Sequence, residues 1–195
     1  MSKFWNNSGL EPKRGYKFQM SISGVDGQSN IPAYIVKTAK KPTFTMSGPA
    51  EVKYIQHTFK YPGRVTWDPV DVTILDPMTP DSARILMNML AISGYAQPAD
   101  PQAALTSISK AKAGLAVGGV KLAEINSDGA QVSEWMLWNP YFSGVDFGSL
   151  GYDSDDLIEY TLTIQYDYAT YRVSNPEQAG GQVLPAVRHS SQGRG

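Results

Sequence analysis

The sequence predicts a mainly β fold: two packed antiparallel sheets forming a sandwich or partly closed barrel, with one flanking α-helix. Three observations carry this. Residues 156–168 alternate cleanly, with Ile158, Tyr160, Leu162, Ile164, Tyr166 and Tyr168 on one face and Glu159, Thr161, Thr163, Gln165 and Asp167 on the other. A period of two is a strand with one packed face and one face turned to water or a partner. Other β-prone runs, about eight in all, are separated by Gly, Pro and Asp turn signals. Only Ala83 to Ile92 carries apolar residues at secure helical spacing, at Ile85, Leu86, Met89 and Leu90.

Residues 1–13 are polar, contain Gly9 and Pro12, and read as an N-terminal arm. Phe4 and Trp5 stand out there, because large aromatics on an arm need something to pack against. Tyr16 to Val25 alternates Tyr16, Phe18, Met20 and Ile22 with polar residues and reads as a strand that ends at Asp26-Gly27. Ile31 to Thr38 reads as a second strand, limited at its start by Pro32. Thr43 to Met46 is short and β-prone. Glu51–Tyr61 and Arg64–Leu75 are expected to form a long hairpin around Pro62-Gly63.

Thr79-Pro80-Asp81 is a helix start, with Thr79 as N-cap, Pro80 in the first turn and Asp81 favourable against the helix dipole. Gly94 can end that helix. Residues 97–118 read as an insertion or mobile loop, with a weak Ala-rich helix running to about Lys112. Asn126-Ser127-Asp128-Gly129 between two β-like runs is a hairpin turn. Residues 138–156 read as a long Gly-, Asp- and Ser-rich connection, and residues 172–195 as a C-terminal tail.

The chain of 195 residues fits one domain with extensions, and 42% hydrophobic content supports a core. The absence of cysteine excludes disulfides, thiol catalysis and Cys-based zinc sites. No apolar run is long enough for a spanning helix, and the N-terminus has no apolar segment of a secretory signal. Net charge is −1 but uneven: residues 1–65 hold ten Lys/Arg against three Asp/Glu, and residues 66–168 hold four against fourteen. That asymmetry suits head-to-tail association, or is simply solvated charge. The basic residues are too spread for a nucleic-acid patch.

Nothing in the sequence announces catalysis. The two histidines, His57 and His189, are in no HExxH motif. Ala116 to Val120 lacks the features of a phosphate loop, and no Gly-x-Ser-x-Gly elbow exists. The acidic cluster Asp153, Asp155, Asp156 and Glu159 fails the EF-hand pattern. The expectation is a non-enzyme with no cofactor and no metal.

Trp138-Asn139-Pro140, then Gly148-Ser149-Leu150-Gly151-Tyr152-Asp153-Ser154, then an alternating strand closing on Tyr166-Asp167-Tyr168, resemble the C-terminal half of tail tube proteins of contractile-tailed bacteriophages. Trp67, Val70, Val72 and Asp76 resemble a second family feature, a strand that ends at an acidic residue before a helix. The resemblance covers residues 14–92 and 119–168 in element order, and residues 14–171 would then be the tail-tube β domain. It implies hexameric rings that stack into a hollow tube inside a contractile sheath, with baseplate and terminator proteins at the ends. Phage DNA would pass through the lumen without specific binding. The place would be the virion tail, assembled in the host cytoplasm. On this reading Glu159, Thr161, Thr163, Gln165 and Asp167 face the lumen, and Phe4, Trp5, Lys60, Tyr61 and Arg64 contact the adjacent ring. The alternatives are an inner-tube subunit of a related contractile injection system and, from a different class, a monomeric small-ligand-binding β-barrel.

Overall fold

The computed structural model describes residues 12–24, 29–96, 107–153 and 155–174. In chain order the strands are β1 (Phe18–Ser23), β2 (Asn30–Ile31), β3 (Val36–Ala39), β4 (Phe44–Met46), β5 (Ala50–Tyr54), β6 (His57–Tyr61), β7 (Val65–Trp67), β8 (Val70–Leu75), β9 (Gly119–Ile125), β10 (Gln131–Trp138), β11 (Tyr141–Asp146), β12 (Glu159–Gln165) and β13 (Tyr168–Val173). Two helices, α1 (Ser82–Ile92) and α2 (Lys110–Val117), lie between β8 and β9 in sequence.

The strands form two main antiparallel sheets, ordered β13-β10-β9-β1-β2 and β11-β12-β8-β3, neither closed into a barrel among the described residues. They face each other across one core. Met20, Ile22, Val120, Leu122 and Leu137 come from the five-stranded sheet, and Val70, Val72, Ile74, Leu162 and Ile164 from the four-stranded one. Val72, Ile74, Leu162 and Ile164 are fully buried, each worth about 1.5–3 kcal/mol of transfer free energy. The mainly β sandwich expected from the period-two runs is the observed architecture.

Several elements differ from the sequence reading, each for a local reason. Residues 31–38 are two strands rather than one. Pro32 lacks an N–H, a 3-10 turn follows at Ala33–Ile35, and the chain uses it to cross from the five-stranded to the four-stranded sheet. Residues 156–168 are likewise two strands. β12 stops at Gln165, Asp167 N donates to Trp138 O at 3.0 Å, and Tyr168 pairs with Trp138 in the other sheet. Their rings stack with centroids 5.7 Å apart. Apolar alternation continues through this crossover, so periodicity alone hides it. β13 extends the pairing to Val173, two residues into the stretch read as tail.

β11 lies within the stretch read as connection and pairs with β12. α1 is capped by Asp81 instead of Thr79: the Asp81 carboxylate accepts from Arg84 N at 3.0 Å. α2 is capped by Ser109, buries Ala113, Ala116 and Val117, and so is a packed helix in part of the stretch read as an insertion. Gly118 closes it at φ 60. No helix among the described residues is long and apolar enough to cross a membrane.

Candidate functional site

Among the described residues, two surfaces lack an intramolecular partner. The first is built by residues 44–67. β4 pairs with β7 and β5 with β6, each as an isolated two-stranded ladder. Phe44 opposes Trp67 and Met46 opposes Val65; further out Ala50 opposes Tyr61, Val52 opposes Phe59, and Tyr54 opposes His57. One register therefore runs through both ladders, and Ser47–Pro49 lie opposite Pro62–Arg64. The two prolines meet there, neither has an N–H to give, and the ladder is interrupted. Ser47 bridges the gap: its N–H donates to Arg64 O, and its Oγ accepts from Arg64 N, both at 2.8 Å. Gly63 is required at this crossing, because a Cβ there would fall 2.1 Å from Ser47 Oγ. The hairpin turn is thus at Ile55-Gln56 and not at Pro62-Gly63, which instead marks a break part-way along the ribbon.

The ribbon has two chemically distinct faces. Opposed residues share a face, so Val52, Tyr54, Phe59 and Tyr61 lie together, while Glu51, Lys53, Thr58 and Lys60 lie on the other side. The apolar face is open: Val52, Phe59 and Tyr61 are about half exposed and Tyr54 is two-thirds exposed. Ile55 at the tip is 86% exposed and holds φ 54, a left-handed conformation unfavourable for a β-branched residue. A two-stranded ribbon in water is marginal by itself. Here it is rooted in the domain by aromatic contact: Phe44 meets Trp67 edge-on at 5.3 Å, and Trp67 meets the buried Tyr166 at 6.0 Å. Burial, and then Asp68, push the Tyr166 hydroxyl up to about 12.

The second surface is the outward face of the four-stranded sheet. Thr161 lies opposite Thr73 and Asp146, and Thr163 opposite Asp71 and Gly144. Thr163 Oγ1 donates to Asp71 Oδ1 at 3.0 Å. The face is polar and mildly acidic. The sheet's two outer strands, β11 and β3, have no further strand beside them among the described residues.

Sequence-derived site residues divide accordingly. Glu159, Thr161, Thr163 and Gln165 sit on β12 with side chains turned away from the buried Tyr160, Leu162 and Ile164. Glu159 is ion-paired with Lys37. Asp167 lies beyond β12, at the crossover, where Lys110 and Asn139 both bind its carboxylate, at 2.7 and 2.8 Å, and hold it below the usual range. Lys60 lies on the polar side of the ribbon near Glu51 at 3.8 Å, Tyr61 lies on the apolar side, and Arg64 sits at the interruption bonded to Ser47. Phe4 and Trp5 lie outside the described residues. Sequence reading missed Val52, Tyr54, Ile55 and Phe59. Their spacing of two on either side of residues 55–56 was the available signal, masked by the stronger turn signature Pro62-Gly63.

The uneven charge along the chain is partly consumed internally. Lys13 and Lys41 from the basic part both ion-pair with Glu124, and Lys37 pairs with Glu159. Burial opposes ionisation of Glu124, but hydrogen bonds from Lys13, Lys41 and Ser133 outweigh it and bring the carboxyl down to about 2. Among the described residues no three His, Asp or Glu side chains gather to hold a metal ion. An apolar groove of about 570 Å³ lies between α1, α2 and β11, lined by Leu86, Leu90, Val117, Phe142 and Val145.

No protein-family profile and no curated protein sequence matches the chain. Solved structures do. A chain of the extracellular contractile injection system PVC sheath–tube complex in its extended state superposes with a TM-score of 0.59 at 15% identity, covering 89% of this chain and 99% of that one. The fold is that of tube proteins. The anti-feeding prophage tube-terminating cap aligns at TM-score 0.60 and 15% identity over 86% of this chain and 95% of its own. The SPP1 tail tube aligns at 0.53 and 10% over 94% and 95%. The tube-protein fold thus spans the described sandwich, with almost none of the sequence shared.

Proposed function

We propose that this chain is the structural subunit of a tail tube: six copies close into a ring, and rings stack into a hollow conduit inside a contractile sheath. The observation that carries the reading is the outward face of the four-stranded sheet. It is polar, both edge strands are open, and the fold is one seen in tube assemblies. An open edge is a hazard in a monomer and a joint in a ring. Joining β3 of one copy to β11 of the next turns six sheets into a twenty-four-stranded barrel. At ~4.8 Å between strands and ~40° of tilt, the backbone diameter is about 48 Å. Side chains on the inner wall still leave a bore wider than duplex DNA, about 20 Å across.

Thr161, Thr163, Glu159, Gln165 and their neighbours Asp71 and Asp146 would line that bore. The wall is mostly hydroxyls and carboxylates, and the Lys37 ammonium on it is ion-paired with Glu159, so phosphates meet little free positive charge and cargo slides. The ribbon of residues 44–67 projects its apolar face to the neighbouring ring, and Phe4 and Trp5 would add to the same ring-to-ring contact. Baseplate, terminator and sheath proteins are the partners, and the phage tail is the location. An inner tube of a related injection device has the same physics with a different cargo. The small-ligand reading finds in its favour the apolar groove beside α1, but among the described residues no closed barrel to hold a ligand.

The test is assembly of the full chain, followed by sedimentation velocity. Rings sediment at about six times 21.3 kDa. A species that stays monomeric at every concentration, with a baseplate seed present, contradicts the reading.

A further inference from the structure

Glu124 is an anomaly in the core. It sits near the end of β9, on the face of the five-stranded sheet that packs the sandwich, and is only 8% exposed. Its neighbours across the sheet are Phe18 and Ser133. A carboxylate there is a poor choice for stability, since apolar side chains of similar size are commonly better. What distinguishes Glu124 is what it holds. Lys13 pairs with Oε2 and Lys41 with Oε1, while Ser133 Oγ donates to Oε2 at 2.7 Å. Lys13 is fixed further, donating to Ser133 Oγ at 2.9 Å and to Tyr171 OH at 3.3 Å.

The two lysines come from different segments. Lys13 is where the N-terminal segment meets the sandwich. Lys41 stands three residues before Phe44, in the connection from β3 into the outgoing strand of the apolar ribbon. The returning strand has its own anchor, Trp67 against Tyr166. The ribbon is therefore clamped at its root from both strands, one clamp aromatic and one ionic, and the ionic clamp is shared with the N-terminal segment.

We propose that Glu124 is a positioning residue for assembly: through Lys41 and Lys13 it holds the ribbon root and residues 12–17 against one point of the sandwich. This rests on the tube reading for its purpose, but the clamp itself is testable without assembly. With both lysines paired to one mostly buried carboxylate, the two segments are held at a common point. Docking then begins from an ordered root, with less conformational freedom left to lose.

The experiment is segment-resolved hydrogen exchange on the full chain and on the variants Glu124→Gln, Lys41→Gln and Lys13→Gln. The reporter amides are Lys40, Ser47 and those of β4 for the ribbon root, Lys17 for the N-terminal segment, and those of β8 and β12 for the core. Glu124→Gln is expected to speed exchange about tenfold at both the root and the N-terminal segment and to leave β8 and β12 unchanged. Lys41→Gln should speed only the root, and Lys13→Gln only the N-terminal segment. Root exchange unchanged in both Glu124→Gln and Lys41→Gln overturns the proposal. So does acceleration spread evenly over β8 and β12, which would make Glu124 an ordinary stability determinant. Lys41→Gln alters a surface lysine and folds even where Glu124→Gln does not, so it decides the ribbon clamp alone. If the parent chain forms no tube, the tube reading fails while the exchange pattern still judges the clamp.

Discussion

Replacing Phe59 with serine separates folding from assembly. In the single chain Phe59 packs mainly on Val52, its cross-strand partner, and is 52% exposed. Phe59 is not among the side chains packed against the sandwich core, so Phe59→Ser removes only packing within the ribbon and should cost the isolated domain about 1 kcal/mol. In the proposed stacked tube the exposed half of the ring would be covered. Taking about 90 Å² of apolar surface at 25 cal/mol per Å², the contact is worth ~2 kcal/mol per subunit. Six subunits act together across one ring-to-ring interface, so the sum of about 13 kcal/mol weakens stacking by many orders of magnitude. The assay pairs urea unfolding of the single chain with sedimentation of stacked rings. Unfolding shifted by no more than about 1 kcal/mol, with lost stacking, is the expected result. Stacking at parental concentration would show that the apolar face of the ribbon is not a docking surface. A loss of several kcal/mol in the single chain would show that the ribbon is folded onto the core.

Ile55→Gly should firm the turn, relieving about 1 kcal/mol of left-handed strain and slowing amide exchange in β5 and β6, while stacking weakens because the tip loses its apolar group. Thr161→Arg combined with Gln165→Arg leaves the fold and ring formation intact, because both side chains point away from the core; ejection through the tube should fail, read as DNA release from assembled particles. Acid should act through Glu124. Its folded carboxyl is depressed to about 2 from an ordinary 4.5, so its contribution is complete above pH ~4.5 and is lost as pH falls toward 2. Protection at the ribbon root, taken relative to the intrinsic exchange rate at each pH, should therefore fall over that window in the parent and stay flat in Glu124→Gln.

The sandwich was legible because its core strands are pure alternation: Val70, Val72, Ile74 and Tyr160, Leu162, Ile164 need only the period of two to be placed. The crossings between sheets were not. At Asp167 the alternation continues while the chain changes sheet, and what stops β12 is a hydrogen bond to Trp138, a partner 29 residues away. The outward residues of β12 were found by the same alternation that placed the core. The apolar ribbon face was hidden because Pro62-Gly63 outscores Ile55-Gln56 as a turn on local chemistry. The position of the turn is instead set by the pairing of Phe44 with Trp67, a contact fixed by the buried Tyr166. Glu124 carried no local signal at all, since its two lysines lie 83 and 111 residues away.

The most direct measurement is an electron cryomicroscopy reconstruction of the assembled protein that shows which sheet lines the bore. The account predicts a continuous barrel with β3 joined to β11 of the next copy and Thr161 and Thr163 turned to the channel. A bore lined instead by the outward face of the five-stranded sheet, where Lys121, Glu134 and Arg172 lie, would contradict it, as would assemblies with no channel.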